Sequence, residues 1–266
     1  MPAGTSPVTS IEISAEQRHR LTLAKYPRSG KYDAGWALAN MMGPNPLWLV
    51  EALLQAMHLK PGMRVLDLGC GKAITSIFLA RELDVQVWAA DLWIAPADNL
   101  ARIDAAGVAD RVFPLRVEAH SLPFAEGYFD AVLSVDAYHY FGTGDLYFAQ
   151  YIAPLLKPGG ELGVVVPGVA NEISEVPPHL KPYWDPAFHS FHSPDWWRRH
   201  IEHSGRAKVT KADRVSEGWR DWLTWQEVCV EAGVRADSAQ REAEMLRVDG
   251  GRHLGFTRLV ARVPAR

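Results

Sequence analysis

The chain has 266 residues, 48% of them apolar, and a formal charge of −3 with 28 basic and 31 acidic residues interspersed. That is enough apolar material for one large α/β core or two small ones, and with no basic stripe to displace counterions from phosphates, nucleic acid is disfavoured as a partner. No apolar run approaches the ~18 residues of a membrane-spanning helix, and the two cysteines, Cys70 and Cys229, suggest neither a disulfide framework nor a metal knuckle.

In chain order, Met1 to Ser10 is rich in Pro, Ser and Thr and lacks a basic-then-apolar leader, so it reads as a disordered tail on a cytoplasmic protein. The segment Tyr26 to Trp36 carries glycines at 30 and 35 and reads as a mobile cover, with Tyr32 able to reach a ligand. Asn45 and Pro46 then cap and start a helix running Leu47 to Leu59. Five near-continuous apolar strands follow: Arg64–Leu68, Val85–Ala90, Val112–Val117, Asp130–Val135 and Glu161–Val166. Helical stretches Ala73–Leu83, Asn99–Ala106 and Asp145–Leu156 separate most of them. This βαβαβ rhythm predicts right-handed crossovers and a doubly wound parallel sheet.

The last third differs. Lys208–Val215 and Leu254–Val263 alternate like strands and can pair antiparallel, while Glu217–Arg247 reads as helix and 169–205 as a Pro-, His- and Trp-rich insertion. The predicted fold is a Rossmann-like, doubly wound, seven-stranded, mostly parallel sheet with an antiparallel edge strand and substrate lids. We read one domain: an N-terminal cap and helix (1–58), a ligand-binding core (59–167), a lid insertion (168–207) and C-terminal strands and helix (208–266).

The sharpest motif is Val65-Leu66-Asp67-Leu68-Gly69-Cys70-Gly71-Lys72-Ala73, a buried strand entering a glycine turn and a helix. Glycines at 69 and 71 let the backbone turn tightly and approach a ligand, and the helix start offers unpaired N–H groups. The third glycine of a dinucleotide fingerprint is here Ile74, and Asp67 would repel a pyrophosphate but not the ammonium of a methionine moiety. That asymmetry favours S-adenosylmethionine over a nicotinamide dinucleotide. Asp91, twenty residues after Gly71 at the tip of the second strand, suits both hydroxyls of an adenosine ribose.

With Val117-Glu118-Ala119-His120-Ser121-Leu122-Pro123-Phe124 and the Phe129-Asp130-Ala131-Val132 strand added, residues 59–167 resemble the class I S-adenosylmethionine-dependent methyltransferases, and within them the small-molecule "type 11" group. The resemblance implies that Asp67, Gly69, Cys70 and Gly71 border the methionine end of the cofactor. It implies that Asp91 binds the ribose, that Leu92 packs on the adenine, that Glu118 and Ala119 meet the adenine amino group, and that Ser134 or Val135 borders the methionine part. Ala73 departs from the usual third glycine and Glu118 from the usual aspartate; the helix is expected to have begun by Ala73, so that its methyl group fits.

Methyl transfer needs alignment above all, and a base only where the acceptor holds its proton tightly. The segment after the fourth strand, Asp136 to Gly142, should sit beside the transferable methyl group. His139 is the candidate general base, with Tyr138 beside it, and Tyr140 faces the acceptor. His189, His192 and Trp196 of the insertion are expected to line the acceptor side. The His189/His192 pair lies in a loop without completing ligands, so no metal is expected. Trp219, Trp222 and Trp225 form a helical stripe, read as packing ahead of a pocket wall. The expected partner is a small-molecule acceptor with an N, O, S or C nucleophile, with no nucleic acid or membrane partner and a homodimer as the candidate assembly. The competing readings are a protein or RNA methyltransferase, a non-catalytic S-adenosylmethionine binder and, more weakly, a nicotinamide oxidoreductase.

Overall fold

The structure is a computed structural model in which residues 10–265 are described; the tail expected over Met1–Ser10 lies, up to residue 9, outside the described residues. Seven strands form one sheet: β1 (Arg64–Leu68), β2 (Gln86–Asp91), β3 (Val112–Arg116), β4 (Phe129–Val135), β5 (Leu156–Val169), β6 (Lys208–Arg214) and β7 (Leu254–Arg262). Their order is β3-β2-β1-β4-β5-β7-β6. The first five pair parallel. The antiparallel strand is β7, and it sits one place in from the edge, between β5 and β6. The edge strand beside it, β6, carries Lys208, Lys211, Asp213 and Arg214, with a register shift between Val209 and Lys211; charge and irregularity of this kind discourage further strand pairing.

Alternation in β1 shows how the sheet is buried on both sides. Val65 joins a core with α2 (Ala34–Asn40), α3 (Pro46–Leu54), α4 (Ile74–Leu83), α7 (Gly218–Glu231) and α8 (Ala236–Asp249), whereas Leu66 and Leu68 join a second core. Ile103 of α5 (Pro96–Ala105) packs in the first core. Trp197 and Ile201 of α6 (Pro194–His203), both fully buried, pack in the second.

Several expected elements change shape for local reasons. The helix expected over 145–156 is a π-helical stretch, Phe148–Ile152, followed by a 3-10 turn, Ala153–Leu155, because Pro154 lacks an N–H and its ring crowds the preceding turn. The helix after Asn45 stops at Leu54 instead of Leu59. The stretch 217–247 is two helices, divided at Arg235, which has a left-handed backbone. The segment 26–36 is pinned, not a loose cover: the buried Glu51 carboxylate accepts from the Arg28 and Ser29 N–H groups and the Ser29 hydroxyl at 2.6–3.0 Å. No described helix is long and apolar enough to cross a membrane.

Candidate active site

The strand order reverses between β1 and β4, and there a cavity of 380 Å³ opens over the carboxyl ends of β1, β2 and β4. Such switch points leave a crevice because the crossovers on either side diverge.

The β1–α4 loop forms its floor. Gly69 and Gly71 have φ of +77° and +53°, and the Gly69 and Cys70 N–H groups donate to the Ala90 carbonyl at 2.8 and 3.1 Å. A Cβ on Gly69 would run into Ala137, so that position requires glycine for space as well as for φ, while one on Gly71 would meet the flexible Met42 side chain and is excluded chiefly by φ. Ala73 also has a left-handed backbone, φ +60°, and is fully buried; the helix begins at Ile74, not before it, so the expectation that Ala73 already sits in the helix is corrected.

At the tip of β2 the Asp91 carboxylate accepts from the Gly71 N–H at 2.9 Å and from the Trp93 and Ile94 N–H groups at 2.8 and 3.0 Å. It ties the glycine loop to the β2–α5 turn. Leu92 and Trp93, 47% and 69% exposed, present apolar faces on the same wall. Beyond β3, the exposed Glu118 accepts from the His120 N–H and meets His120 Nδ1, each at 2.8 Å; the hydrogen bond with His120 holds its carboxyl below the usual range.

At the tip of β4 lies a different aspartate. Asp136 lines the cavity with φ +56°, a conformation that costs a residue with a Cβ roughly 1–2 kcal/mol. Its N–H donates to the Val165 carbonyl, but its carboxyl makes no hydrogen bond or ion pair among the described residues. Burial, reinforced by the Glu242 charge and opposed by Arg235, pushes its pKa up to about 8. Gly43 lies against this carboxyl, leaving no room for a Cβ.

The roof is the turn between α2 and α3, with Asn40, Met42, Gly43, Pro44 and Pro46 on the cavity. Trp225 holds it by donating Nε1–H to the Gly43 carbonyl at 3.1 Å, and Arg235 donates to the Met42 carbonyl. The tryptophan stripe of α7 is therefore buried packing at Trp222 and Trp225, with Trp225 also fixing a cavity wall.

Of the residues singled out in the sequence, Gly69, Cys70, Gly71, Asp91, Leu92, Glu118, Ala119, Val135 and Tyr140 line this cavity. Asp67 and Ser134 lie beneath it, buried. Asp67 Oδ2 accepts from the Thr75 and Ser76 hydroxyls at 2.5 and 2.6 Å, its Oδ1 has no partner, and burial raises its pKa to about 6. Ser134 donates to the Leu68 carbonyl. Tyr32 lies outside the cavity, packed on Trp36 and Phe78.

The expected catalytic pair is also outside. Tyr138 is fully buried against Phe141, Tyr147 and Trp197. His139 is 2% exposed, packed between a tilted Tyr140 ring and the edge-on ring of Phe191, with an unpartnered Nδ1, and burial drops its pKa to about 3. The insertion residues do not reach the site either. His189 is exposed and outside the cavity, His192 pairs with Glu172 at 2.9 Å, and Trp196 is sandwiched between His192 and His200. The reason is that α6 packs on the second face of the sheet, with Trp197 and Ile201 in its core and Trp196 half-buried beside them, outside the cavity.

Sequence reading missed Asp136, the Met42–Pro44 roof, Trp93 and Phe141. Trp93 could have been found as the second residue after Asp91. Nothing local in the sequence announces that Asp136 is strained and unpartnered.

The segment 65–160 matches the model of a methyltransferase domain family. Among curated relatives, methyltransferase GfsG of Streptomyces halstedii is 27% identical over 130 residues, covering 47% of this chain and 46% of its own length. Demethylmenaquinone methyltransferase of Mycolicibacterium paratuberculosis is 32% identical over 127 residues, 46% of this chain and 49% of its own length. The chain thus spans about half the length of the curated relatives it matches. Among solved structures, Haemonchus contortus phosphoethanolamine N-methyltransferase 2 in complex with S-adenosyl-L-methionine superposes with TM-score 0.71 at 20% identity, over 95% of this chain and 60% of the other. The [4+2]-cyclase SpnF superposes with TM-score 0.65 at 18% identity, over 97% and 100%.

The cavity fits S-adenosylmethionine on its own features: a floor where any Cβ at Gly69 or Gly71 would intrude, a buried Asp67 oxygen without a partner beneath it, and the Leu92–Trp93 wall beside Asp91. The segment 65–160 thus matches a methyltransferase domain family, and it lies on a Rossmann-like sheet whose switch-point cavity suits S-adenosylmethionine.

Proposed function

We propose that this protein transfers a methyl group from S-adenosylmethionine to a small-molecule acceptor, and that Asp136 takes up the acceptor's proton. The observation that carries the reading is that one cavity joins the glycine floor to an unpartnered carboxyl at the tip of β4. The fold by itself is a weaker support, since a cyclase shares it. Relatives named for demethylmenaquinone and for 27-O-demethylrifamycin SV support a small acceptor.

Gly69 and Gly71 would admit the methionine end, Asp91 would hold the ribose hydroxyls, and Leu92, Trp93 and Glu118 would hold the adenine by its faces and amino group. When bound, the cofactor supplies a methyl group activated by its positive sulfur. The acceptor enters between the Met42–Pro44 roof and the Tyr140–Phe141 wall, an apolar slot that excludes water and fixes approach. As the acceptor atom gains the methyl group, its proton passes to the Asp136 carboxylate, which a depressed imidazole at His139, outside the cavity, is not placed to do. The slot size and the absence of a basic stripe favour a small acceptor over RNA or protein, in a protein read as cytoplasmic.

Calorimetry with S-adenosylhomocysteine and NAD, followed by labelled-methyl transfer to a panel of phenols, alcohols and amines, tests the proposal. Binding of S-adenosylhomocysteine without NAD, and label in at least one acceptor, is expected; tighter binding of NAD would overturn it.

A further inference from the structure

Away from the cavity, three side chains converge where α8 turns into β7. His179 Nε2 and His253 Nδ1 stand 3.2 and 3.0 Å from the same oxygen, Oδ1 of Asp249, and the three ligand-type atoms all lie within 4.8 Å of one another. Bonds of roughly 2.0–2.1 Å from a tetrahedral zinc ion would space neighbouring ligand atoms about 3.3 Å apart, close to both measured separations. The other oxygen, Oδ2, is committed to the turn, accepting from the His253 and Leu254 N–H groups at 3.0 and 2.9 Å. Thus one oxygen is committed to the backbone, and the other, which also accepts a longer bond of 3.3 Å from the His253 N–H, faces two imidazoles.

Charge points the same way. Asp249 is 0% exposed, and its only ion-pair partners among the described residues are these two histidines. A buried carboxylate without a cation is costly unless it is paired or coordinates a metal. The imidazoles are part-exposed, 25% and 32% at the side chain, so solvent can reach the cluster and complete a coordination shell.

We propose that His179, Asp249 and His253 form a binding site for one zinc-class divalent ion, completed by water. The ligand set of two imidazoles and a carboxylate suits zinc and its first-row neighbours over calcium or magnesium. None of the three lines the methyl-transfer cavity, so the site works as a clip. It joins the segment between β5 and α6, which brings Phe191 against His139, to the α8–β7 turn.

The test uses the full chain stripped with a chelator and titrated with zinc chloride, with bound metal counted after dialysis. One zinc per chain is expected in the wild type. His179→Gln keeps an N–H donor for Asp249 but removes the imidazole, and together with His253→Gln should weaken zinc binding at least a hundredfold. Equal zinc retention by wild type and double variant, or none by the wild type, overturns the site. Should the variants fail to fold, histidine modification by diethyl pyrocarbonate, mapped by mass spectrometry on the wild type, decides it. Zinc should protect His179 and His253 at least tenfold while leaving the exposed His189 reactive, and unchanged reactivity at the first two overturns the proposal.

Discussion

The tips of β2 and β4 both carry an aspartate on the same cavity, and they have been built to opposite ends. Asp91 is saturated by three backbone N–H groups that knot two loops together. Asp136 stands on a strained backbone with no partner for its carboxyl and a raised pKa. An acid with three backbone donors is a scaffold that can still accept from a ligand on its remaining lone pair. An unsaturated one stores strain and an open proton site, the condition expected of a group that must change partners during a reaction. The difference between the two tips teaches that holding and reacting are divided between adjacent strands.

The largest loss of stability expected from breaking this division is at Asp91. Asp91→Ala should unpair three part-buried backbone donors and lower the unfolding free energy by about 3 kcal/mol, at about 1 kcal/mol for each hydrogen bond lost. S-adenosylhomocysteine affinity should fall at least 100-fold, because the loop geometry and the ribose contact are lost together. Urea denaturation and calorimetry measure the two. Wild-type stability in the variant would show that Asp91 is not the knot.

Asp136→Asn should do the reverse. Turnover should fall by roughly 100-fold or more, the usual contribution of a positioned base, with cofactor affinity changed only a few-fold. Stability should rise. The native pKa of about 8 lies above the ordinary 3.8, so the folded state holds a proton that the unfolded state releases between those values. The wild type therefore loses stability as pH climbs from about 4 to about 8. Asparagine does not titrate and tolerates the left-handed backbone, so the variant's advantage should grow across that window, on the order of 5 kcal/mol by pH 8 at about 1.4 kcal/mol per pKa unit, read by thermal melts over pH. A flat difference would show that the Asp136 carboxyl is not held protonated.

A smaller effect lies in the rate profile. Wild-type kcat/KM should increase with pH and level off above about 8, as Asp136 becomes able to take a proton, and Asp136→Asn should flatten the rise. An inflection near the usual histidine range, retained in Asp136→Asn, would reassign the base.

The division was only half legible in the sequence. The floor could be read because its constraints are local: Gly69 and Gly71 must be glycine where a strand becomes a helix, and Asp91 follows at the end of the next strand. The strands could be read because parallel strands buried on both faces are nearly continuous apolar runs. The acceptor side is assembled from distant pieces, with Met42–Pro44 held by Trp225 from 182 residues away in sequence, and no spacing rule reports that. The insertion misled for a related reason. Its histidines and tryptophans look like a pocket wall, but Trp197 and Ile201, with Trp196 half-buried beside them, pack α6 on the second face of the sheet and outside the cavity. Even the antiparallel pairing of the last strands was visible as alternation, whereas the insertion of β7 inside β6 is a matter of chain routing that alternation does not encode.

The smallest expected effect concerns His139, and it separates the two tips most cleanly. Three residues from Asp136 and able to titrate near neutrality in water, it is the base that the sequence suggests. In the structure its ring lies in an aromatic cluster with Tyr140 and Phe191, and burial drops its pKa to about 3, so it stays neutral at any working pH. Its Nδ1 is buried without a partner, which costs stability instead of supplying it. Replacing it with phenylalanine keeps a flat ring, removes the unpaired nitrogen and adds little volume. His139→Phe should therefore leave turnover within about threefold and change the unfolding free energy by no more than ~1 kcal/mol, the relief of the orphaned nitrogen offsetting any overpacking. If His139 instead takes the proton, the same variant loses about 100-fold in turnover with its fold intact. Measuring Asp136→Asn and His139→Phe side by side then decides which tip residue the acceptor meets, since both leave the Asp91 knot and the glycine floor in place.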